Sequence, residues 1–234
     1  MKQKLTIAIT AIALILSFVA RGASEKREVP SFSGISLHVP GTLHVKQGDK
    51  QSVEVVAKQS TLEELITEVK GRELVIRFAA KNYIWKDFVP GKIEIFVTVP
   101  EVDKLNLSGS GNIQNDGPIK SRILDLSVSG SGDISLDDLT AERIKTMTSG
   151  SGDISLAGPE EADDLSVNIS GSGDYKGLDF KVKDVNVRIA GSGNAGVYAE
   201  KNLNVRVAGS GDVTYKGNPS IDQSVVGSGK VKEY

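Results

Sequence analysis

The sequence contains no cysteine, which excludes disulfide bonds, thiolate metal sites and a cysteine nucleophile. It also excludes a lipid-modified cysteine after a signal segment. Aromatic residues make up only 5% of the 234 residues, and there are only two histidines. His38 and His44 occur in apparent strands without a neighbouring group of carboxylates, whereas a catalytic or metal site needs convergent partners. We therefore interpret both histidines as ordinary strand residues.

The chain also lacks a strong charge of one sign, because its formal net charge is −2. This balance gives no indication of nucleic-acid binding. Uncharged residues 5–20 follow two lysines and precede small residues, which is typical of a secretory signal peptide. We predict a signal over residues 1–22 and, since this run is shorter than the ~20 residues that span a bilayer, no stable membrane insertion after cleavage. The expected location is periplasmic, extracellular or on the cell surface.

Glycine is abundant, with 25 residues, and a Gly-Ser-Gly block recurs seven times. Successive blocks are 21, 20, 21, 20, 18 and 18 residues apart. A nearly constant period of this length indicates a stacked repeat, whereas a flexible linker needs no period. The predicted corner glycines are Gly109 and Gly111, Gly130 and Gly132, Gly150 and Gly152, Gly171 and Gly173, Gly191 and Gly193, Gly209 and Gly211, and Gly227 and Gly229.

The residues before each block alternate between apolar and polar, which indicates half-buried β-strands. A second, shorter alternation follows each block. The third repeat departs from the pattern, because Thr146 and Thr148 take the inward positions. The inward apolar residues elsewhere are Leu124, Leu126 and Val128, then Leu165, Val167 and Ile169, then Val185, Val187 and Ile189, and then Leu203, Val205 and Val207.

These patterns predict an all-β protein whose residues 104–234 form a parallel β-helix of about seven coils of ~20 residues. Glycine permits left-handed or closely approaching backbone, so the same corner can stack in every coil. Residues 23–103 lack the block but are also rich in strand patterns, and we predict an N-terminal β-rich capping region there. Within it, residues 70–72 are predicted to form a turn, and Thr61 with Glu64 matches a capping box of a short helix.

Tyr83, Trp85 and Phe88 concentrate three aromatic residues within six positions. One interpretation is a hydrophobic plug under a loop, which is favoured because aromatic side chains usually belong to a core. The alternative is an aromatic platform that binds a sugar or a partner protein.

An acidic residue follows several of the Gly-Ser-Gly blocks. Stacked coils would place Asp133, Asp153 and Asp174 in one column, about 5 Å apart, where like charges repel unless they are solvated or bridged by a cation. The favoured alternative is that each side chain accepts a backbone N–H at the corner, because Asn112 and Asn194 occupy the same position. We therefore predict no metal site and no cofactor.

The stretch LNLSGSGNI at residues 105–113, with Gly111-Asn112-Ile113 in the recurring motif, resembles the putative auto-transporter adhesin, head GIN domain family. Residues 32–35, FSGI, and 97–100, VTVP, also match its pattern. The resemblance covers most of the chain after the signal and implies an exported bacterial protein with a right-handed parallel β-helix and an adhesive role. The family offers no catalytic residues to transfer.

We therefore expect a non-enzymatic protein that binds a surface glycan or protein. A structural module of the periplasm or envelope is the alternative, and a carbohydrate-active enzyme is a third, weaker one. The sequence leaves the ligand and the oligomeric state open.

Overall fold

The computed structural model of the protein describes residues 22–79 and 89–234. Strands account for 67% of the structure and helix for 3%, which confirms the all-β prediction. The predicted signal peptide, apart from Gly22, lies outside the described residues. The strands of the described ranges are β1 (Ala23–Lys26), β2 (Gly34–Leu37), β3 (Thr42–Gln47), β4 (Ser52–Ala57), β5 (Leu65–Lys70), β6 (Glu73–Phe78), β7 (Glu94–Val99), β8 (Lys104–Gly109), β9 (Asn112–Asn115), β10 (Ile119–Gly130), β11 (Asp133–Leu136), β12 (Leu139–Gly150), β13 (Ile154–Ala157), β14 (Ala162–Gly171), β15 (Tyr175–Gly191), β16 (Ala195–Gly209), β17 (Val213–Lys216), β18 (Ser220–Gly227) and β19 (Val231–Glu233). A short helix, α1 (Gln59–Glu64), lies between β4 and β5.

The repeats stack as a parallel β-helix, as predicted. The strands that precede the corners pair in parallel, with equivalent residues opposite one another. These strands are β8, β10, β12, β14, the second half of β15, the second half of β16, and β18. The shorter strands that follow the corners form a second parallel face. The solenoid makes about six turns, close to the seven that were predicted.

The core is a column of aliphatic side chains inside the coils. Every apolar residue predicted to point inward before the corners is at most 3% exposed. Thr146 and Thr148 are also buried, while Met147 between them faces solvent, so the third coil keeps the alternation with hydroxyl residues inside. Tyr175 lies within the column, and Gly177 leaves room for it, since a Cβ there would lie 2.5 Å from the tyrosine hydroxyl oxygen.

The corner glycines are required by the approach of neighbouring coils. Gly130 has a φ of +128°, and a Cβ on it would lie 2.4 Å from the Gly109 carbonyl oxygen. A Cβ on Gly132 would lie 2.1 Å from the Gly111 carbonyl oxygen. Instead, the Gly109 carbonyl accepts hydrogen bonds from the N–H groups of Ser131 (2.9 Å) and Gly132 (3.1 Å). The same pattern recurs at later corners, so backbone hydrogen bonds join each corner to the next.

The first coils do not stack in chain order. The coil formed by β2 and β3 lies between the coil of β6 and β7 and the coil of β8 and β9, with parallel pairing on both sides. Antiparallel strands complete this end: β5 pairs with β6, β4 with β7, and β1 with β4. The predicted turn at residues 70–72 is confirmed, with Gly71 at a φ of +64°.

A polar cluster holds the inserted coil on its outward side. The Glu73 carboxylate accepts hydrogen bonds from Ser36, from Asn106 (2.8 Å) and from the Lys104 ammonium (3.0 Å). Partial burial raises the pKa of Glu73, but these three hydrogen bonds outweigh it, so the pKa lies below its usual range. The cluster joins β6, β2 and β8, which are far apart in sequence.

The predicted capping box is wrong. Helix α1 begins at Gln59, and the side chain of Lys58, the residue before it, makes no capping hydrogen bond. Thr61 lies inside the helix and is fully buried. Its hydroxyl donates to the Pro90 carbonyl oxygen at 2.7 Å. The Thr61 hydroxyl therefore makes a tertiary contact instead of the predicted capping hydrogen bond.

Candidate functional site

The acidic column forms a continuous ladder of hydrogen bonds along the corners. Asp133 Oδ1 accepts the Asp153 N–H at 2.9 Å, and Asp153 Oδ1 accepts the Asp174 N–H at 2.8 Å. Asp174 Oδ1 accepts the Asn194 N–H at 2.8 Å. The ladder continues from Asn194 to Asp212 and on to Lys230. Each side chain therefore serves the N–H of the next coil rather than one in its own corner.

In this column, Oδ1 of each aspartate accepts a hydrogen bond from a backbone N–H group. Lys176 Nζ lies 2.6 Å from Asp153 Oδ2, and that hydrogen bond raises the pKa of the lysine ammonium. Coulombic attraction to Asp174 and Asp133 acts in the same direction. Within residues 22–79 and 89–234, no group of three or more histidine or carboxylate side chains is placed to hold a metal ion.

A groove of about 740 Å³ lies beside this ladder on the face of the shorter strands. Gly196 and Thr214 are adjacent in register between Lys176 and Lys232, so small side chains form its floor between two longer ones. We call it the Tyr234 groove; its lining includes Asp174, Asp179, Asn194, Gly196, Thr214 and Tyr234.

The Tyr234 groove presents one exposed aromatic ring among oxygen acceptors. Tyr234 is 77% exposed, and its N–H donates to the Tyr215 carbonyl oxygen at 2.9 Å. Lys216 Nζ lies 4.8 Å from the centre of the Tyr234 ring and 3.3 Å from Asp179 Oδ1. The lysine thus links the Tyr234 ring to the Asp179 carboxylate.

The sequence did not single out Tyr234. The aromatic residues that it did single out, Tyr83, Trp85 and Phe88, lie outside the described residues. The sequence did contain one indication of an exposed ring, because Tyr234 directly follows the charged residues after the last corner. Its position beside Asp174 and Asn194 depends on stacking across several coils, which the sequence shows only once the register is known.

The histidines lie elsewhere. The His44 ring stacks on Phe96, with ring centres 4.6 Å apart, and its Nδ1 lies 3.3 Å from Asp116 Oδ1. His38 lies just after β2, and its N–H donates to the Ile76 carbonyl oxygen at 2.8 Å. Neither residue lines the Tyr234 groove.

The comparison with protein families matches residues 31–219 to the family described as "Putative auto-transporter adhesin, head GIN domain". The chain belongs to the head GIN domain family. The match includes β2 to β17 and every Gly-Ser-Gly corner except the last. No curated protein sequence matches this head GIN domain protein.

Solved structures share the fold. A putative adhesin from Bacteroides fragilis has a TM-score of 0.84 at 21% identity, covering 91% of this chain and 96% of that one. A putative adhesin from Parabacteroides distasonis has a TM-score of 0.72 at 26% identity, with the same coverage. A protein from the same organism, named a putative lipid binding protein, has a TM-score of 0.75 at 26% identity and also covers 91% and 96%.

The family and two of these relatives are named as putative adhesins, so the coarse functional class is adhesin-like. Across the described ranges, no helix of this head GIN domain protein has the length and apolarity to cross a membrane.

Proposed function

We propose that this head GIN domain protein is an exported, non-enzymatic adhesin that binds a cell-surface glycan in the Tyr234 groove. The observation that carries the proposal is the exposed Tyr234 ring beside the side-chain oxygens of Asp174, Asp179 and Asn194. An aromatic face packs against the apolar face of a sugar ring, and carboxylate and amide oxygens accept hydrogen bonds from its hydroxyl groups. The membership of the family and the adhesin relative at 26% identity support this class.

The chemistry of the groove favours a glycan over a lipid. A lipid chain needs an apolar cavity, whereas the inward positions of the coils are filled by tightly buried aliphatic side chains. The groove itself carries both lysines and carboxylates, a mixture that suits a hydroxyl-rich ligand. The lipid-binding name of one relative therefore defines an alternative to be tested alongside the glycan.

Binding is tested with a glycan array, using the full exported chain and two variants. We expect the wild type to bind a subset of glycans and Tyr234→Ala to weaken that binding about 10-fold, because the ring contact is lost. Ile123→Ala is the control, since Ile123 is an exposed apolar side chain outside the Tyr234 groove. Vesicles of neutral and anionic phospholipid provide the lipid comparison.

Several outcomes would contradict the proposal. A wild-type protein that binds vesicles but no glycan would favour the lipid role, and one that binds neither would favour a structural envelope role. Release of new reducing ends from a bound glycan would show an enzyme. Protease treatment of intact cells addresses the location, and protection of the protein in that experiment would argue for the periplasm and against adhesion.

A further inference from the structure

A second groove, of about 570 Å³, lies on the outward face of the strands that precede the corners. It is distinct from the Tyr234 groove and runs across β12, β14, β15, β16 and β18. Register places its outward residues in two rows, one residue per coil. The first row is Met147, Asn168, Arg188, Arg206 and Ser224, and the second is Ser149, Ser170, Ala190, Ala208 and Val226.

The side chains of the second row project only a short distance from the sheet, because every member except Val226 is serine or alanine. The taller first row therefore forms one wall, and the groove follows the axis of the coils rather than the direction of the strands. We call it the arginine groove and define it by Asn168, Arg188, Ala190, Arg206, Ala208 and Val226. Val226 is 71% exposed, so the floor of the groove is open to solvent at this end.

The lining of the arginine groove contains two arginines and no acidic residue. Arg206 is held by Asp222, with 2.7 Å between Nη2 and Oδ2, and its Nη1 donates to the Val205 carbonyl oxygen at 3.0 Å. Arg188 is exposed and, in the part of the chain that the structure describes, has no hydrogen-bond or ion-pair partner. It lies directly beside Arg206 in register.

The charges around the groove leave Arg188 uncompensated. The neighbouring outward row places Lys145, Ser166, Asn186, Asn204 and Asp222 on the same face, and Asp222 already pairs with Arg206. The positive charge of Arg188 is therefore available to an anionic group from outside. A planar guanidinium binds a carboxylate or sulfate through two parallel hydrogen bonds.

We propose that the arginine groove is a second binding site and that it takes an acidic polysaccharide. A carboxylate or sulfate group of the polymer pairs with Arg188, and a neighbouring sugar ring lies against the Ala190 and Ala208 methyl groups. Asn168 and Ser224 supply polar contacts along the same wall. A linear chain fits because the groove is open at the surface and crosses five strands.

The structure argues against the two other anionic partners. An acidic peptide would normally add a strand to a sheet edge, but β14, β15 and β16 already pair on both sides, so their backbone groups are engaged. An anionic membrane is recognised by clusters of about four to eight basic residues. The arginine groove has two, one of which is already paired.

This proposal does not rest on glycan binding in the Tyr234 groove, because the two sites lie on different faces and take ligands of different charge. The experiment measures binding of the full chain to immobilised polygalacturonate and dextran sulfate, with methyl-esterified polygalacturonate as the neutral probe and phosphatidylglycerol vesicles as the membrane probe. The variants are Arg188→Ala, Arg188→Lys and Tyr234→Ala. Arg122→Ala is the matched control, since it removes the same charge from an exposed position outside the groove.

We expect the wild type to bind at least one acidic polymer and not the neutral ester. Arg188→Ala should weaken binding about 10-fold or more, and Arg188→Lys should recover only part of it because the paired hydrogen bonds are lost. Tyr234→Ala and Arg122→Ala should change it less than about 2-fold. The proposal is overturned if neither acidic polymer binds, if the neutral ester binds equally, if Arg122→Ala is as damaging as Arg188→Ala, or if only vesicles bind. None of these results affects glycan binding through Tyr234, which the array reports separately.

Discussion

The two ends of the solenoid are held together in different ways. From β10 onward, each coil stacks on the one before it in chain order, and the same glycine corner and side-chain ladder recur. At the N-terminal end, β2 and β3 are inserted between coils that follow them in sequence, and the cluster of Ser36, Glu73, Lys104 and Asn106 joins the strands. The regular part is stabilised by backbone contacts that every repeat can make, whereas the irregular part depends on particular side chains.

This difference predicts different sensitivities to substitution. In the regular part, a glycine cannot be replaced because the neighbouring backbone occupies the space, but an acceptor side chain can be exchanged for a similar one. In the irregular part, the identity and charge of one carboxylate matter, so stability there should depend on pH.

The largest effect is expected at a stacked corner. Gly150 has a φ of +123°, and a Cβ there would lie 2.3 Å from the Gly130 carbonyl oxygen. Gly150→Ala should lower the free energy of unfolding by about 2–4 kcal/mol, because it combines backbone strain with a steric clash. Urea denaturation followed by circular dichroism measures this change.

Gly109→Ala is the matched control for the clash. Gly109 has a similar φ of +110°, but a Cβ there would meet nothing within 4 Å. It should cost only the conformational strain, about 1–2 kcal/mol. Equal costs for the two variants would show that stacking of the corners contributes nothing beyond the backbone conformation.

An intermediate effect is expected at Glu73. Its folded-state pKa is lowered, so the stabilisation is complete above the pKa of the unfolded chain and is lost as the pH falls through the folded-state value. Glu73→Gln should reduce the free energy of unfolding by about 1–2 kcal/mol at about pH 7, and by less at about pH 3. Urea titrations at both pH values give the difference.

Glu101→Gln is the control for this measurement, because Glu101 is mostly exposed and forms a 3.4 Å ion pair with the exposed Arg72. It should change stability little at either pH. A Glu73→Gln penalty that does not shrink in acid would mean that the shape of the side chain, and not its charge, holds the inserted coil.

The smallest effect is expected in the side-chain ladder. Asp174→Ala removes the acceptor for the Asn194 N–H and should cost about 0.5–1 kcal/mol, whereas Asp174→Asn keeps an oxygen there and should cost less. Added calcium should leave the thermal midpoint unchanged, since Oδ1 of each aspartate in the column already accepts an N–H. An Asp174→Asn variant as unstable as Asp174→Ala, or a calcium-dependent rise in the midpoint, would show that the charge is what matters.

Sequence periodicity was sufficient for the regular half of this molecule. The period of the Gly-Ser-Gly blocks and the alternation before them are local signals, so the parallel coils and their inward residues could be predicted before any coordinates. The insertion of β2 and β3 could not, because it depends on contacts such as that between Ser36 and Asn106, which are 70 positions apart. Thr61 shows the same limit, since its partner, the Pro90 carbonyl, is remote in sequence.

Both grooves also depend on distant residues. Tyr234 and Asp174 line one surface only because coils stack in register, and Arg188 and Arg206 become neighbours for the same reason. The alternation assigned Arg188 and Arg206 to the outside, but it did not indicate that they would meet across coils.

The insertion of β2 and β3 has a consequence for the order in which the chain can fold. When the chain is synthesised from its amino terminus, β2 and β3 cannot pair on both sides until β6 to β9 are available. Closing such distant contacts is slow, whereas each later coil closes a loop of only about 20 residues onto a finished edge. Assembly should therefore nucleate once, at the amino-terminal end, and then elongate one coil at a time. Removing distal coils would shorten the rod, whereas damage to the inserted pair would leave the later repeats without an edge on which to grow.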